Sequence, residues 1–129
     1  MKSVDSVLIV EDNPIDIFIN TRVIQQSGLS EEIISQPSAK DALHYLTEGV
    51  SRGFLPNLIF LDIRMPDLDG FEFLEAFTEL PLQVRQQCRI VMLSSTIDPV
   101  DLEKARSNPF VLAFIPKPLT REKIEELFS

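Results

Sequence analysis

Apolar residues in this chain gather into short unbroken runs, and between the runs they recur every three or four positions. Four runs are continuous rather than alternating: Val7-Leu8-Ile9-Val10, Leu58-Ile59-Phe60-Leu61, Ile90-Val91-Met92-Leu93 and Val111-Leu112-Ala113-Phe114-Ile115. Continuous runs of that length suit strands covered on both faces, as in a parallel sheet. A fifth and weaker strand is expected at Glu32-Ile33-Ile34-Ser35-Gln36, from its β-branched pair and the helix start beyond Pro37.

The intervening stretches predict helices with marked ends. Asn13-Pro14 gives an N-cap and then a proline at the first helical position, where its missing N–H costs nothing; Ile15, Phe18, Ile19 and Val23 follow at helical spacing, and Gly28 is the stop. Ser38 with Asp41 resembles a capping box ahead of a second stripe, Ala39, Ala42, Leu43, Leu46 and Val50. Asp69 is expected to cap a third helix whose Gly70, Phe73, Leu74 and Phe77 share a face, with Phe71 partly exposed. The segment 82–89 is polar and patternless, and is expected to be a connection carrying an irregular helical turn. Asp98-Pro99 repeats the cap-then-proline signal before Val100, Leu102 and Ala105, and Thr120 caps a last helix with Ile124, Leu127 and Phe128. All nine prolines fall at predicted boundaries or in loops.

Five strands alternating with five helices imply right-handed βαβ crossovers and helices on both faces of one sheet. The expected class is therefore α/β, a doubly wound five-stranded parallel sheet of the flavodoxin-like (βα)5 kind. The pattern does not set strand order, but the order 2-1-3-4-5 would bring the ends of strands one, three, four and five together at a switch point.

Composition narrows the function classes. A chain of 129 residues supports one domain and one core. The lone Cys88 cannot form an internal bridge, no secretory signal pattern stands at the amino end, and no apolar run approaches a membrane span. A cytoplasmic protein without a membrane partner is expected. With 20 acidic against 12 basic residues and a net charge of −8, an extended nucleic-acid footprint is not expected either.

The chemistry collects where the strands end. Glu11 and Asp12 follow the first run, Asp62 the third, Ser94 the fourth and Lys117 the fifth. The carboxyl edge of an open α/β sheet is where ligands bind. Two unit charges about 4 Å apart repel by about 4 kcal/mol at an effective dielectric near 20, so three carboxylates there call for a cation. An oxygen-only donor set without His or Cys points to Mg²⁺ rather than zinc. A carboxylate flanked by Mg²⁺ and a lysine can attack phosphorus and form an acyl phosphate, with the cations screening the approaching anion. Ser94 can donate its hydroxyl to a phosphoryl oxygen, and Lys117 can pair with Asp62 before transfer and with the phosphoryl group after it.

These pieces, Val7 to Asn13, Leu61 to Gly70, Val91 to Ser95 and Phe114 to Pro118, resemble the CheY-like receiver domain of two-component response regulators, over essentially the whole chain. The resemblance implies that Asp62 is the phosphoacceptor, Asp12 a direct metal ligand and Glu11 an acidic neighbour acting through water. It makes the backbone carbonyl of Arg64 a third protein contact to Mg²⁺, Ser94 the switch hydroxyl, Phe114 the switch aromatic and Lys117 the matching lysine. It further implies a phosphodonor, a histidine kinase or a histidine phosphotransfer protein. Output would run through the fourth-helix and fifth-strand surface to a downstream protein or a second copy. The chain is expected to be a single stand-alone receiver over residues 1–129, without an output domain, catalysing only its own phosphorylation and dephosphorylation.

The sequence departs from the family pattern at several points. Glu11 stands where Asp is commoner, Ser94 for the commoner Thr, and Ser95 where Ala is usual; Ser107-Asn108-Pro109-Phe110 replaces a Gly-Ala-rich turn. Arg64 is placed to reach over the site and alter hydrolysis. The competing readings are an unphosphorylated scaffold and a Mg²⁺-dependent aspartyl-phosphate phosphatase; Arg64 occupies the position where the latter needs a second acid. A flavin binder is disfavoured because the loop after the first strand is acidic where a phosphate would need glycines and free N–H groups. Asp67 and Asp69 are read as turn or cap residues, His44 as a surface residue and Cys88 as a small packed residue.

Overall fold

The protein, described here from a computed structural model, is traced over residues 3–128. Its strands are β1 (Ser6–Val10), β2 (Glu32–Gln36), β3 (Leu58–Asp62), β4 (Arg89–Ser94) and β5 (Val111–Pro116). They form one parallel sheet in the order β2-β1-β3-β4-β5. The helices are α1 (Pro14–Ser27), α2 (Ala39–Arg52), α3 (Gly70–Phe77), α4 (Leu82–Gln87), α5 (Pro99–Arg106) and α6 (Arg121–Phe128).

The continuous apolar runs bury both of their faces. Leu8, Val10, Ile59, Leu61, Ile90 and Met92 pack with α2, α3 and α4 through Ala42, Leu46, Phe73, Phe77 and Val84. Val7, Ile9, Leu58, Phe60, Val91 and Leu93 pack on the other side with Ile24 of α1 and Ile124 of α6. Two apolar layers sandwich the sheet, which is the reason its central strands tolerate no alternation.

Capping follows the expected residues. The Asn13 side chain accepts hydrogen bonds from the Ile15 and Asp16 N–H groups, Ser38 from Asp41, and Asp98 from Val100. Asp69 and Glu72 form a reciprocal capping box at α3. Gly28 and Gly53 close α1 and α2 at φ of 78° and 71°, a region open to glycine at little cost.

Three local expectations are corrected. The segment 82–89 is not merely a connection: residues 82–87 form α4, anchored by buried Val84 and followed by buried Cys88. The face expected for α1 is turned outward, since Ile15, Phe18 and Ile19 are 68%, 62% and 42% exposed while Asn20, Ile24 and Ser27 are buried. Val23 and Ile24 are adjacent candidates for the buried stripe, and spacing alone does not say which of two overlapping stripes meets the sheet. The structure turns the stripe through Ile24 inward and leaves Val23 at its margin, half-buried against the same layer. Finally, the apolar run of β5, at the sheet edge that the order 2-1-3-4-5 gives it, is not covered on both faces: a register shift between Ile90 and Val91 skips Leu112, only Ile115 of its residues is buried, and Val100 on neighbouring α5 is exposed.

Candidate functional site

The residues marked by the sequence are carried to one edge of the sheet by backbone hydrogen bonds at the strand ends. Glu11 N–H donates to the Gln36 carbonyl (3.2 Å), Ile63 N–H to Leu93 (3.1 Å) and Lys117 N–H to Ser94 (2.7 Å). The side chains just inside and beyond these bonds therefore share a rim. The turn after Asp62 is closed by the Gly70 N–H, which donates to the Ile63 carbonyl at 2.8 Å. A Cβ on Gly70 would lie 3.0 Å from Ile63 Cα and from Met92 Cε, and 3.3 Å from the Asp62 carbonyl oxygen. Only glycine lets the start of α3 pack this closely behind Asp62.

One carboxylate oxygen from each of Glu11, Asp12 and Asp62 lies within 4.8 Å of the others. Glu11 and Asp62 are buried and Asp12 is exposed. Glu11 Oε2 accepts from the Asp12 N–H (3.1 Å) and the Asn13 N–H (3.4 Å), and its Oε1 accepts from Lys117 Nζ at 2.8 Å. Burial pushes the Glu11 carboxyl up to about 7; the Lys117 hydrogen bond opposes this rise and neighbouring Asp62 adds to it. For Lys117, burial favours the neutral amine, but hydrogen bonds to Glu11 and Asp16 and the charge of Asp62 outweigh it and raise its pKa. Lys117 Nζ stands 3.4 Å from Asp62 Oδ1 and 3.0 Å from Asp16 Oδ2.

One ammonium does not neutralise three converging carboxylates. Mg²⁺ takes oxygen ligands at 2.0–2.1 Å in an octahedron and usually keeps several waters, so three carboxylate oxygens within 4.8 Å of one another lie close enough to share one such ion directly or through its waters. The residues present fit a hard divalent cation.

The other expected residues border this cluster. Ser94 Oγ donates to the Thr96 carbonyl at 2.6 Å and accepts from the Thr96 N–H at 3.2 Å, so its hydroxyl is engaged in the loop between β4 and α5. Phe114 is half-buried against the layer that contains Met92. The Arg64 guanidinium faces Asp101 of α5, Nη2 to Oδ2 3.9 Å, and among the described residues it forms no ion pair with Asp12 or Asp62. Away from the site, His44 pairs with Glu48 on the exposed face of α2, and Cys88 is buried, its thiol pushed up to about 12 by burial.

The family model described as the response regulator receiver domain matches residues 7–129. The chain belongs to that family. This receiver domain superposes on the crystal structure of a two-component response regulator from Cytophaga hutchinsonii with a TM-score of 0.91 and 33% identity, covering 98% of this chain and 95% of that one. It is 34% identical over 121 residues to a probable methanogenesis regulatory protein, FilR2, of Methanothrix harundinacea, spanning 92% of this chain and 76% of the relative. It is also 32% identical over 129 residues to hybrid signal transduction histidine kinase L of Dictyostelium discoideum, of which it spans only 7%. Among the described residues of the receiver domain, no helix is long and apolar enough to cross a membrane.

Two residues that contribute here were missed or underrated in the sequence. Asp16 lies beside Lys117, and the signal was available: Asp16, Asn20, Ile24 and Ser27 recur at helical spacing along the face that turns inward. Asp67, read only as a turn or cap residue, caps a helix remote in sequence. Its carboxylate accepts from the Ala39 N–H (3.4 Å) and the Lys40 N–H (2.9 Å), joining the loop after Asp62 to the start of α2.

Proposed function

We propose that Asp62 accepts a phosphoryl group from the phosphohistidine of a histidine kinase or histidine phosphotransfer protein, and that the modified domain changes its affinity for a protein partner. The observation that carries this reading is the convergence of Glu11, Asp12 and Asp62 around one lysine at the carboxyl edge of the sheet. An Asp62 oxygen bonds to phosphorus as the phosphorus–nitrogen bond breaks. The electron pair of that bond returns to the imidazole, which takes a proton from water, leaving an acyl phosphate on Asp62. Asp12, Asp62 and the backbone carbonyl of Arg64 would hold Mg²⁺ directly, with Glu11 contributing through water. When bound, the ion supplies charge neutralisation for the incoming anion.

Lys117, with three N–H donors, has one to give to a phosphoryl oxygen. Ser94 reaches such an oxygen only by releasing the Thr96 carbonyl, which couples modification to the loop entering α5. The domain acts on no separate substrate in this reading; it catalyses only its own phosphorylation and dephosphorylation.

Intact-protein mass spectrometry after incubation with acetyl phosphate tests the reading. A Mg²⁺-dependent, hydroxylamine-labile gain of one phosphoryl group that is absent in Asp62→Asn is the expected result. A folded protein that gains no phosphoryl group from acetyl phosphate or from phosphorylated histidine phosphotransfer proteins overturns it in favour of an unphosphorylated scaffold.

A further inference from the structure

The geometry points to Asp16 as a positioning residue for Lys117: we propose that it is the lysine's resting counter-ion, holding the ammonium at the rim so that the metal-ligating carboxylates stay open. The proposal rests on the phosphoryl-acceptor reading above and extends it to a residue outside the metal cluster.

Lys117 Nζ has three N–H groups and three carboxylates in reach. The two short bonds go to Glu11 (2.8 Å) and Asp16 (3.0 Å), whereas Asp62 is at 3.4 Å. Asp16 belongs to the first turn of α1, where an acidic residue ordinarily returns to the N-cap N–H or simply complements the helix dipole. Here the N-cap amide, Asn13 N–H, is directed to Glu11 Oε2 instead. The Asp16 carboxylate is thus committed across the fold to a lysine 101 residues away. Its side chain is 34% exposed and that of Lys117 18%, against 2% for Glu11 and 6% for Asp62, so Asp16 draws the ammonium toward solvent.

Two consequences follow for cation binding, and they share a sign. Asp16 adds a negative charge beside the cluster, and it keeps one Lys117 donor from turning onto Glu11 or Asp62, where that donor would compete with a metal. Without Asp16 the ammonium settles onto the ligands. On phosphorylation the Lys117 donor on the Asp62 side is the one available to a phosphoryl oxygen, while the bonds to Glu11 and Asp16 hold the other two.

The test compares wild type, Asp16→Asn, Asp16→Glu, Lys117→Met and the double variant Asp16→Asn/Lys117→Met. Mg²⁺ affinity is measured by isothermal titration calorimetry, and the Lys117 ammonium is followed by ¹H–¹⁵N NMR without metal. For a partly exposed charge pair we expect Asp16→Asn to raise the Mg²⁺ Kd about two- to fivefold. Asp16→Glu should restore most of the affinity. The ammonium resonance should shift or broaden in Asp16→Asn while the melting temperature stays close to wild type. In the Lys117→Met background the Asp16→Asn effect should shrink to the part that the lost charge alone contributes, because coupled residues are non-additive.

An unchanged ammonium signal overturns the proposal. So does an equal Mg²⁺ effect with and without Lys117, which would make Asp16 a bulk charge only. If wild type takes up no Mg²⁺ at all, it is the metal and phosphoryl reading that fails, while the NMR comparison still decides whether Asp16 positions Lys117.

Discussion

Helices α1 and α2 have the same length, 14 residues, the same kind of polar N-cap and the same left-handed glycine at the C-cap, yet they bury their apolar residues in opposite ways. In α2 the apolar stripe turns inward: Ala39, Ala42 and Leu46 are fully buried, with Leu43 and Val50 half-buried beside them. In α1 the stripe of Ile15, Phe18 and Ile19 faces solvent, and the helix presents Asn20, Ile24 and Ser27 inward. The difference lies in what stands at each N-terminus. α2 starts at the β2 edge of the sheet and is fastened there by Asp67, so only packing decides its rotation. α1 starts in the acidic cluster, and Asp16 must face Lys117. The inward face of α1 carries Ile24 to the core and Asp16 to Lys117 together, and Ile15, Phe18 and Ile19 fall on the opposite side.

The largest test of this contrast is the burial pair. Leu46→Ala in α2 and Ile24→Ala in α1 should each cost about 2–5 kcal/mol, because both side chains are fully buried and leave cavities. Urea unfolding followed by circular dichroism measures both. An Ile24→Ala cost below that of Phe18→Ala would place the wrong face of α1 inward.

A smaller effect separates the two N-termini. Burial pushes the Asp67 carboxyl up, but hydrogen bonds from the Lys40, Leu68 and Ala39 N–H groups outweigh it and hold the group below its usual 3.8. A carboxyl with a lowered folded pKa contributes stability that is present above its unfolded pKa and lost as pH falls through its folded value. Asp67→Ala should therefore destabilise by about 0.5–2 kcal/mol at neutral pH. The gap to wild type should narrow below about pH 4. A gap that is constant from pH 7 to pH 3 would show that the tether does not depend on the charge.

The smallest effect is expected at Phe18. Truncation to alanine should change stability by less than about 0.5 kcal/mol, since the ring is 62% exposed and its neighbour across the face is Arg22, with the guanidinium 5.8 Å from the ring centroid. A loss above about 1 kcal/mol in the same urea assay would mean that the outward stripe packs on the domain after all.

Most of the architecture was legible because it depends on local signals that agree. Continuous apolar runs marked the buried strands, cap and proline pairs marked the starts of α1 and α5, and Gly28 marked the end of α1. The strand-end residues Glu11, Asp12, Asp62, Ser94 and Lys117 were legible as a group for the same reason, since alternating β and α elements bring the carboxyl ends of the strands to one edge. α4 was not legible: six residues with one buried valine are too short for periodicity, and the helix exists because Val84 and Cys88 fill the space beside Pro56 and α2. The partial exposure of β5 was not legible either, because a continuous apolar run looks the same whether helices cover both of its faces or not.

The sequence by itself determined the order of the elements apart from α4, the caps, the two-faced burial of the central strands and the set of residues available for chemistry. Tertiary structure alone decided which side of α1 turns inward, that Asp16 joins Lys117, that Asp67 caps α2 across 27 residues, and that Ser94 is engaged with Thr96. The first group follows from contacts within a few residues and from the period of the backbone. The second depends on angles and distances between elements far apart in the chain, which come into being only when the elements pack.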